Sequence, residues 1–164
     1  MTETATAPRL SASGFDLTAP TLQERKALEA GLTAEESHVL LHHGTEAAFC
    51  GGLLDNKEDG VYCCRLCGLP LFLAKTKFES GTGWPSFFAP YDEDHVLGIR
   101  DTSYGMVRIE TRCARCDSHQ GHVFPDGPAP TRLRYCINSV SLEFVMNGQP
   151  LRDPLGRGDR IPGG

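Results

Sequence analysis

Two Cys-x-x-Cys pairs, Cys64-Arg65-Leu66-Cys67 and Cys113-Ala114-Arg115-Cys116, restrict this chain more than any other feature. A two-residue spacer lets a tight turn aim both thiolates at one ion, and Gly68 suits the turn after Cys67. Two such pairs supply four soft ligands, the set a tetrahedral structural Zn²⁺ requires. They lie too far apart for a compact zinc finger, so the ion clips distant segments together. A redox dithiol is the alternative for either pair, although the βαβ context of such motifs is missing. An iron–sulfur cluster is a further alternative. Cys63 adjoins Cys64. The turn selects Cys64 as ligand, and strand alternation points Cys63 the other way.

The chain has 164 residues, the length of one ordinary domain, and its 40% hydrophobic content is enough for a core. With 18 Gly and 11 Pro, many turns and short strands are expected. A net charge of −5 argues against nucleic-acid binding. No run reaches the roughly 18 apolar residues of a membrane span. The N-terminus lacks the apolar core of a secretion signal, which favours the cytoplasm. An odd count of seven Cys in such a chain points to metal binding or thiol chemistry, not a disulfide scaffold.

Residues 1–14 are rich in Thr, Ala and Ser and read as a disordered leader. Thr21-Leu22-Gln23-Glu24 and Thr33-Ala34-Glu35-Glu36 have the form of capping boxes, each opening a short helix. Leu22, Leu28 and Leu32 are expected to form the apolar stripe of the first. Val39, Leu40 and Leu41 supply the second, which ends near Gly44. Beyond it the helical period disappears. Short apolar runs at 60–64, 70–74, 84–89, 96–99, 106–111 and 134–145 favour an antiparallel β domain. One domain over 15–150 and a flexible tail over 151–164 complete the organisation.

Cys50, Cys63 and Cys136 remain outside the zinc set. Cys136 lies in Arg134-Tyr135-Cys136-Ile137-Asn138. A buried, inert thiol is the commonest fate of a free Cys. Yet Arg134 and Asn138 share the strand face of Cys136, and a guanidinium favours a thiolate. His119 and His122, three residues apart, are structural groups or proton donors beside a nucleophile. Trp84, in Gly81-Thr82-Gly83-Trp84-Pro85, is either ordinary packing or the wall of a small pocket.

Several of these segments together resemble the zinc-containing methionine-R-sulfoxide reductases, the B class. The matching stretches are Gly44-Thr45-Glu46, Tyr62 to Cys67, Lys77 to Phe87, His119 to Pro128 and Arg134 to Ser139, in family order over about residues 40–146. The resemblance implies two antiparallel sheets in a barrel-like or sandwich core, short N-terminal helices and one structural Zn²⁺ on Cys64, Cys67, Cys113 and Cys116. It implies the R epimer of methionine sulfoxide in oxidised proteins as substrate, free amino acid being less preferred. Cys136 matches the nucleophile. Trp84 matches the wall around the substrate methyl, with Phe124 beside it, and His119, His122, Arg134 and Asn138 match polar active-site positions. A sulfenic acid on Cys136, a disulfide and reduction by a thioredoxin-type partner complete the implied cycle.

Three positions depart from the family pattern. Thr82 stands where many members carry the resolving Cys, which closes that route. Gln120 replaces a usual Leu, and Arg132 a usual Gly. Cys50, followed by Gly51 and Gly52, is the expected resolving thiol, with an external thiol or Cys63 as alternatives. A monomer is the default assembly. Two other function classes compete: a zinc-stabilised β module that binds a protein partner, and a zinc hydrolase or deaminase using His119 or His122.

Overall fold

The structure is a computed structural model and describes residues 9–156. Thr21 and Thr33 open helices α1 (Leu22–Ala30) and α2 (Ala34–His42) with complete capping boxes: each Thr hydroxyl accepts from the Glu24 or Glu36 backbone N–H, and each carboxylate accepts from the Thr N–H. Leu22 is 82% exposed and does not join the stripe expected of it. Six residues, about 1.7 turns, separate it from Leu28, so the two point to different faces. Leu28 and Leu32 do pack against the core, and α2 buries Val39 and Leu40.

Among the described residues nine strands follow: β1 (Gly60–Cys64), β2 (Pro70–Leu73), β3 (Lys77–Phe78), β4 (Ser86–Phe87), β5 (Val96–Asp101), β6 (Arg108–Cys113), β7 (His119–Phe124), β8 (Arg134–Ile137) and β9 (Leu142–Met146). They form two antiparallel sheets, of order β2-β1-β9 and β3-β4-β8-β7-β6-β5. The larger sheet ends at β3 and β5, so the two-sheet expectation holds without a closed barrel. The apolar run at 134–145 is interrupted by a 3₁₀ turn at Ser139–Ser141, which sends β9 to the smaller sheet. Only Ser86–Phe87 of the 84–89 run is strand. Strand β7 had no apolar run to announce it.

The two sheets share one core. Tyr62, Phe72 and Leu142 of the smaller sheet meet Phe87 and Ile137 of the larger, all fully buried. Phe72 and Phe87 stack with ring centroids 4.5 Å apart, and Tyr62 meets Phe87 edge-on at 5.0 Å. All five residues of β1 are buried because its outer face is covered as well. There Val61, Cys63 and Val145 pack with Leu151, Phe15 and Tyr91.

That cover includes described residues of the expected leader and tail. Residues 1–8 and 157–164 lie outside the described residues. In 9–14, Leu10 bridges Asp16, and Ser11 Oγ and His95 Nε2 lie 2.8 Å apart. The Ala12 and Ser13 N–H groups donate to Asp94 and Asp92. At the other end Leu151 is buried, and Arg152 pairs with Glu143 at 2.7 Å. These partners lie far away in sequence, so local composition gave no sign of them.

Arg132 adopts a left-handed backbone with φ 62°, the region that favours glycine. Its N–H donates to Pro128 O at 2.8 Å and its carbonyl accepts from Gly127 at 3.0 Å, which holds the turn before β8. The usual Gly of the resembled family therefore has a steric reason here. Arg132→Gly is expected to stabilise the chain by about 0.5–1 kcal/mol in urea unfolding. A loss of stability would contradict the strain.

Candidate active site and metal centre

Each Cys-x-x-Cys pair closes the same turn. Gly68 N–H donates to Cys64 O and Asp117 N–H to Cys113 O, both at 2.8 Å, and Gly68 and Asp117 share left-handed backbones at φ 82° and 63°. All four cysteines are buried, and their sulfurs lie within 4.8 Å of one another. Cys64 Sγ–Cys116 Sγ is 3.6 Å and Cys67 Sγ–Cys113 Sγ is 3.5 Å. A tetrahedron with metal–sulfur bonds of about 2.3 Å needs sulfurs roughly 3.8 Å apart, so the cluster suits a structural zinc. Four sulfurs complete such a shell. No position stays open for a water, which removes the support for a hydrolase or deaminase at this centre.

Gln120 sits against the centre: its side-chain amide donates to Cys64 Sγ at 3.6 Å and to Ser118 Oγ at 3.0 Å. A Leu there could make neither contact. Cys63 points away into the outer cluster, as alternation requires, and burial pushes its thiol well above the ordinary range.

The larger sheet has a core face and a polar face. Phe87, Tyr135 and Ile137 point to the core. Their neighbours Ser86, Arg134 and Cys136 therefore point outward. Register then lines up the site: Ser86 and His122 both pair with Cys136, Arg134 with Phe124, and His122 with Glu110. His119 would ordinarily face opposite to His122. A bulge resolves this, because Arg112 pairs with His119 while Thr111 pairs with Gly121, leaving Gln120 as the extra residue. The two imidazoles thus share a face, ring centroids 5.6 Å apart.

Each imidazole is held by a carboxylate. His122 Nε2 lies 2.8 Å from Asp101 Oδ2, and His119 Nδ1 lies 2.6 Å from Glu110 Oε2. Hydrogen bonds from Ser103 and His122 hold the Asp101 carboxyl well below its usual range. Burial works against the Glu110 carboxylate, yet bonds from Arg112, His119 and His43 outweigh it and hold its pKa at about 2. Burial also pulls the His119 imidazole down, against Glu110. His119 Nε2 is buried and, among the described residues, has no partner.

Cys136 is half-buried. Burial raises its thiol above the ordinary value, despite Thr82 and Arg134, which pull it down. The guanidinium alone therefore does not make a resting thiolate. Thr82 Oγ1 lies 3.9 Å from Cys136 Sγ, so the residue in the absent resolving position contacts the nucleophile candidate. Arg134 grips Asp126 through two bonds, at 2.9 and 3.1 Å, and lies over the Phe124 ring at 4.4 Å. Asn138 falls just past the strand, where its side chain accepts from Glu46 N–H and donates to Gln120 O. It positions backbone more directly than it faces the thiol.

Trp84 lines a cavity of about 510 Å³ with Phe49 and Phe78, and its indole N–H donates to Glu46 O at 3.0 Å. His119 and His122 line a second cavity of about 800 Å³. Strand β8, carrying Cys136, runs between β4, which follows Trp84, and β7, which carries His119 and His122. Cys50 is exposed, and both of its neighbours touch the site's supports. Phe49 N–H donates to Gly83 O at 2.7 Å, and a Cβ on Gly51 would fall 2.2 Å from Glu46 Oε2. Gly51 is thus small because it is packed, whereas Gly52 faces open space.

Sequence reasoning missed Glu46, Asp101 and Glu110. Glu46 is buried, with Oε1 accepting from Val140 N–H and Oε2 unpartnered among the described residues. A signal for Glu110 existed: an acid alternating with Ile109 and Thr111 in a strand opposite two histidines.

The depressed Glu110 pKa links the site to stability. Its stabilising effect is complete above the unfolded value of 4.5 and is lost as pH falls through about 2. Glu110→Gln is expected to cost roughly 2–3 kcal/mol at neutral pH and to flatten the stability curve in that acid window. Urea midpoints at pH 7 and pH 3 check this; an unchanged pH 7 midpoint would contradict it.

Comparison with known proteins accords with this arrangement. The SelR domain family matches residues 32–146. A protein of Caulobacter vibrioides named peptide methionine sulfoxide reductase MsrB is 78% identical over 161 residues, 98% of this chain and 99% of its own. Proteins of the same name from Xylella fastidiosa and Escherichia coli are 61% and 55% identical, covering 88% and 72% of this chain and 94% and 86% of their own. The chain therefore belongs to the SelR domain family of MsrB peptide methionine sulfoxide reductases.

Proposed function

We propose that this chain reduces the R epimer of methionine sulfoxide in oxidised proteins, with Cys136 as nucleophile and a thioredoxin-type dithiol as reductant. The observation that carries the reading is the polar sheet face, where Cys136 pairs with His122 while the nitrogen His119 Nε2 lies buried without a partner among the described residues. A module that only binds proteins has no use for a buried, unsatisfied imidazole aligned with a thiol. Relatives named peptide methionine sulfoxide reductase support the reaction type.

In this scheme the substrate methyl rests against Trp84 and Phe124, and Cys136 Sγ attacks the sulfoxide sulfur. Oxygen passes to Cys136 and methionine leaves. The thiol becomes a sulfenic acid, oxidised by two electrons as the sulfoxide is reduced by two. The S–H proton is retained in the S–OH product, so no outside proton is consumed. The Glu110 carboxylate only accepts, so neutral His119 carries its proton on Nδ1 and turns the Nε2 lone pair to the site. A water donating to that nitrogen presents its other proton to the sulfoxide oxygen and polarises the S–O bond. His122, fixed by Asp101, supports the same oxygen. Arg134 offsets charge developing on Cys136, and Asn138 holds the Glu46 segment on which Trp84 hangs.

Cys50 then attacks the sulfenic acid sulfur, forming a Cys136–Cys50 disulfide and releasing water. Exposure and the packing of Phe49 on Gly83 favour Cys50 for this step, whereas Cys63 is buried with its thiol raised. One Zn²⁺ on Cys64, Cys67, Cys113 and Cys116 supplies structural cross-linking only. Among the described residues no helix is long and apolar enough to cross a membrane. A monomer working in the reducing cytoplasm fits a cycle that depends on free thiols.

In a thioredoxin-coupled assay, Cys136→Ser is expected to lower turnover by roughly three orders of magnitude or more. Cys50→Ser should stop thioredoxin-supported turnover yet release one methionine per chain in a single turnover. Activity surviving in Cys136→Ser would end the reading. Full thioredoxin-dependent turnover by Cys50→Ser would move resolution to an external thiol or Cys63.

A further inference from the structure

Five of the six histidines in the chain, His38, His42, His43, His119 and His122, line the single cavity of about 800 Å³ together with Glu110. Reduction of a sulfoxide does not call for so many imidazoles. Three groups in this cavity converge. His43 Nδ1 and His119 Nδ1 each lie 2.6 Å from the same oxygen, Glu110 Oε2. The three ligand atoms fall within 4.8 Å of one another.

We propose that His43, His119 and Glu110 form a second metal site, a facial set of two imidazoles and one carboxylate that takes a divalent transition-metal ion. Zn²⁺, Co²⁺ and Ni²⁺ suit this mixture of nitrogen and oxygen donors. Glu110 is preset for the role. Arg112 occupies its other oxygen, Oε1, at 2.8 Å, leaving Oε2 to the imidazoles. The carboxyl stays ionised, so it brings a charge to the ion without first losing a proton. His119 is buried and fixed, whereas the His43 side chain is half-exposed and borders the cavity, so the ion enters from that side.

The backbone contributes as well. His43 caps α2 in a left-handed conformation, φ 55°, and its N–H donates to His38 O. The C-terminal end of the nine-residue helix, with its partial negative charge, therefore lies beside the proposed ion. When the ion binds, each neutral imidazole frees Nδ1 by shifting its proton to Nε2, and the three ligands spread by a few tenths of an ångström to admit the ion. Arg112 opposes the ion electrostatically, which makes the site exchangeable in contrast to the buried four-cysteine centre. Open coordination positions face the cavity, so small anions and water complete the shell.

The site is tested on full-length protein with the four-cysteine centre zinc-loaded, in a Cys50→Ser/Cys136→Ser background that removes competing thiols. Titration with Co²⁺ and Ni²⁺, read by calorimetry and by the Co²⁺ visible spectrum, should show one further ion per chain with nitrogen–oxygen ligation. His43→Ala, at an exposed position that does not endanger folding, and Glu110→Gln should each weaken it by about tenfold or more. A His38→Ala/His42→Ala double variant should keep it. Three results would overturn the proposal: no ion beyond the four-cysteine centre, a further ion unaffected by His43→Ala, or loss of the ion in the double variant alone. The last would place it on the i, i+4 pair of α2. Because binding is read directly, the outcome is independent of whether the chain reduces methionine sulfoxide.

Discussion

Four thiolates drawn from two distant turns determine where the sheets meet. Cys64 ends β1 of the smaller sheet and Cys113 ends β6 of the larger, so an ion shared by the four sulfurs would fasten one sheet to the other at the edge of their common core. Neighbouring groups reinforce the clip. Arg115 donates to Cys67 O at 3.2 Å and to Asp16 O at 2.8 Å, which ties both turns to the N-terminal segment. Arg25 of α1 reaches Cys116 O at 2.6 Å. Without an ion, four buried thiols would crowd one place with poor hydrogen bonds, so metal binding at this centre would be coupled to folding.

The metal centre also bears on the chemistry, through Gln120. This one residue is the extra member of the β7 bulge and donates to Cys64 Sγ. The bulge places His119 and His122 on one face, and the side chain anchors the bulge to a sulfur of the four-cysteine cluster. A centre distant in role is thus mechanically continuous with the imidazoles. The same strand pairs with β8 and sets His122 beside Cys136. Carboxylates on β5 and β6 then fix the tautomers, because an ionised acid can only accept. The site is a set of adjacent strand registers, and rigid elements hold such geometry better than loops do.

What was legible in the sequence had short-range causes. Capping boxes at Thr21 and Thr33, the paired knuckles and the opposite facing of Cys63 and Cys64 each follow from a few neighbouring residues. What escaped depended on distant partners. Strand β7 was hidden by polar residues whose burial is explained only by Glu110, Asp101 and the sulfur cluster. The His-x-x-His spacing carried an unused hint: in a strand, two residues three apart share a face only across a bulge. Docking of residues 9–14 rests on Asp92, Asp94 and His95, which no local pattern near the N-terminus foretells. The environment of Cys136 was half legible: Arg134 does pull the thiol down, but burial, which no local pattern announces, pushes it further up.

Everything proposed for the reaction depends on Cys136 Sγ taking oxygen from the substrate. A single turnover without external reductant examines this most directly: reduced, zinc-loaded protein is mixed with each methionine sulfoxide epimer, thiols are counted, and the oxidised product is mapped by mass spectrometry. The predicted result is one methionine per chain from the R epimer alone, two thiols lost, and Cys136 joined to Cys50. Methionine from neither epimer, or oxidation that leaves Cys136 untouched, would contradict that role.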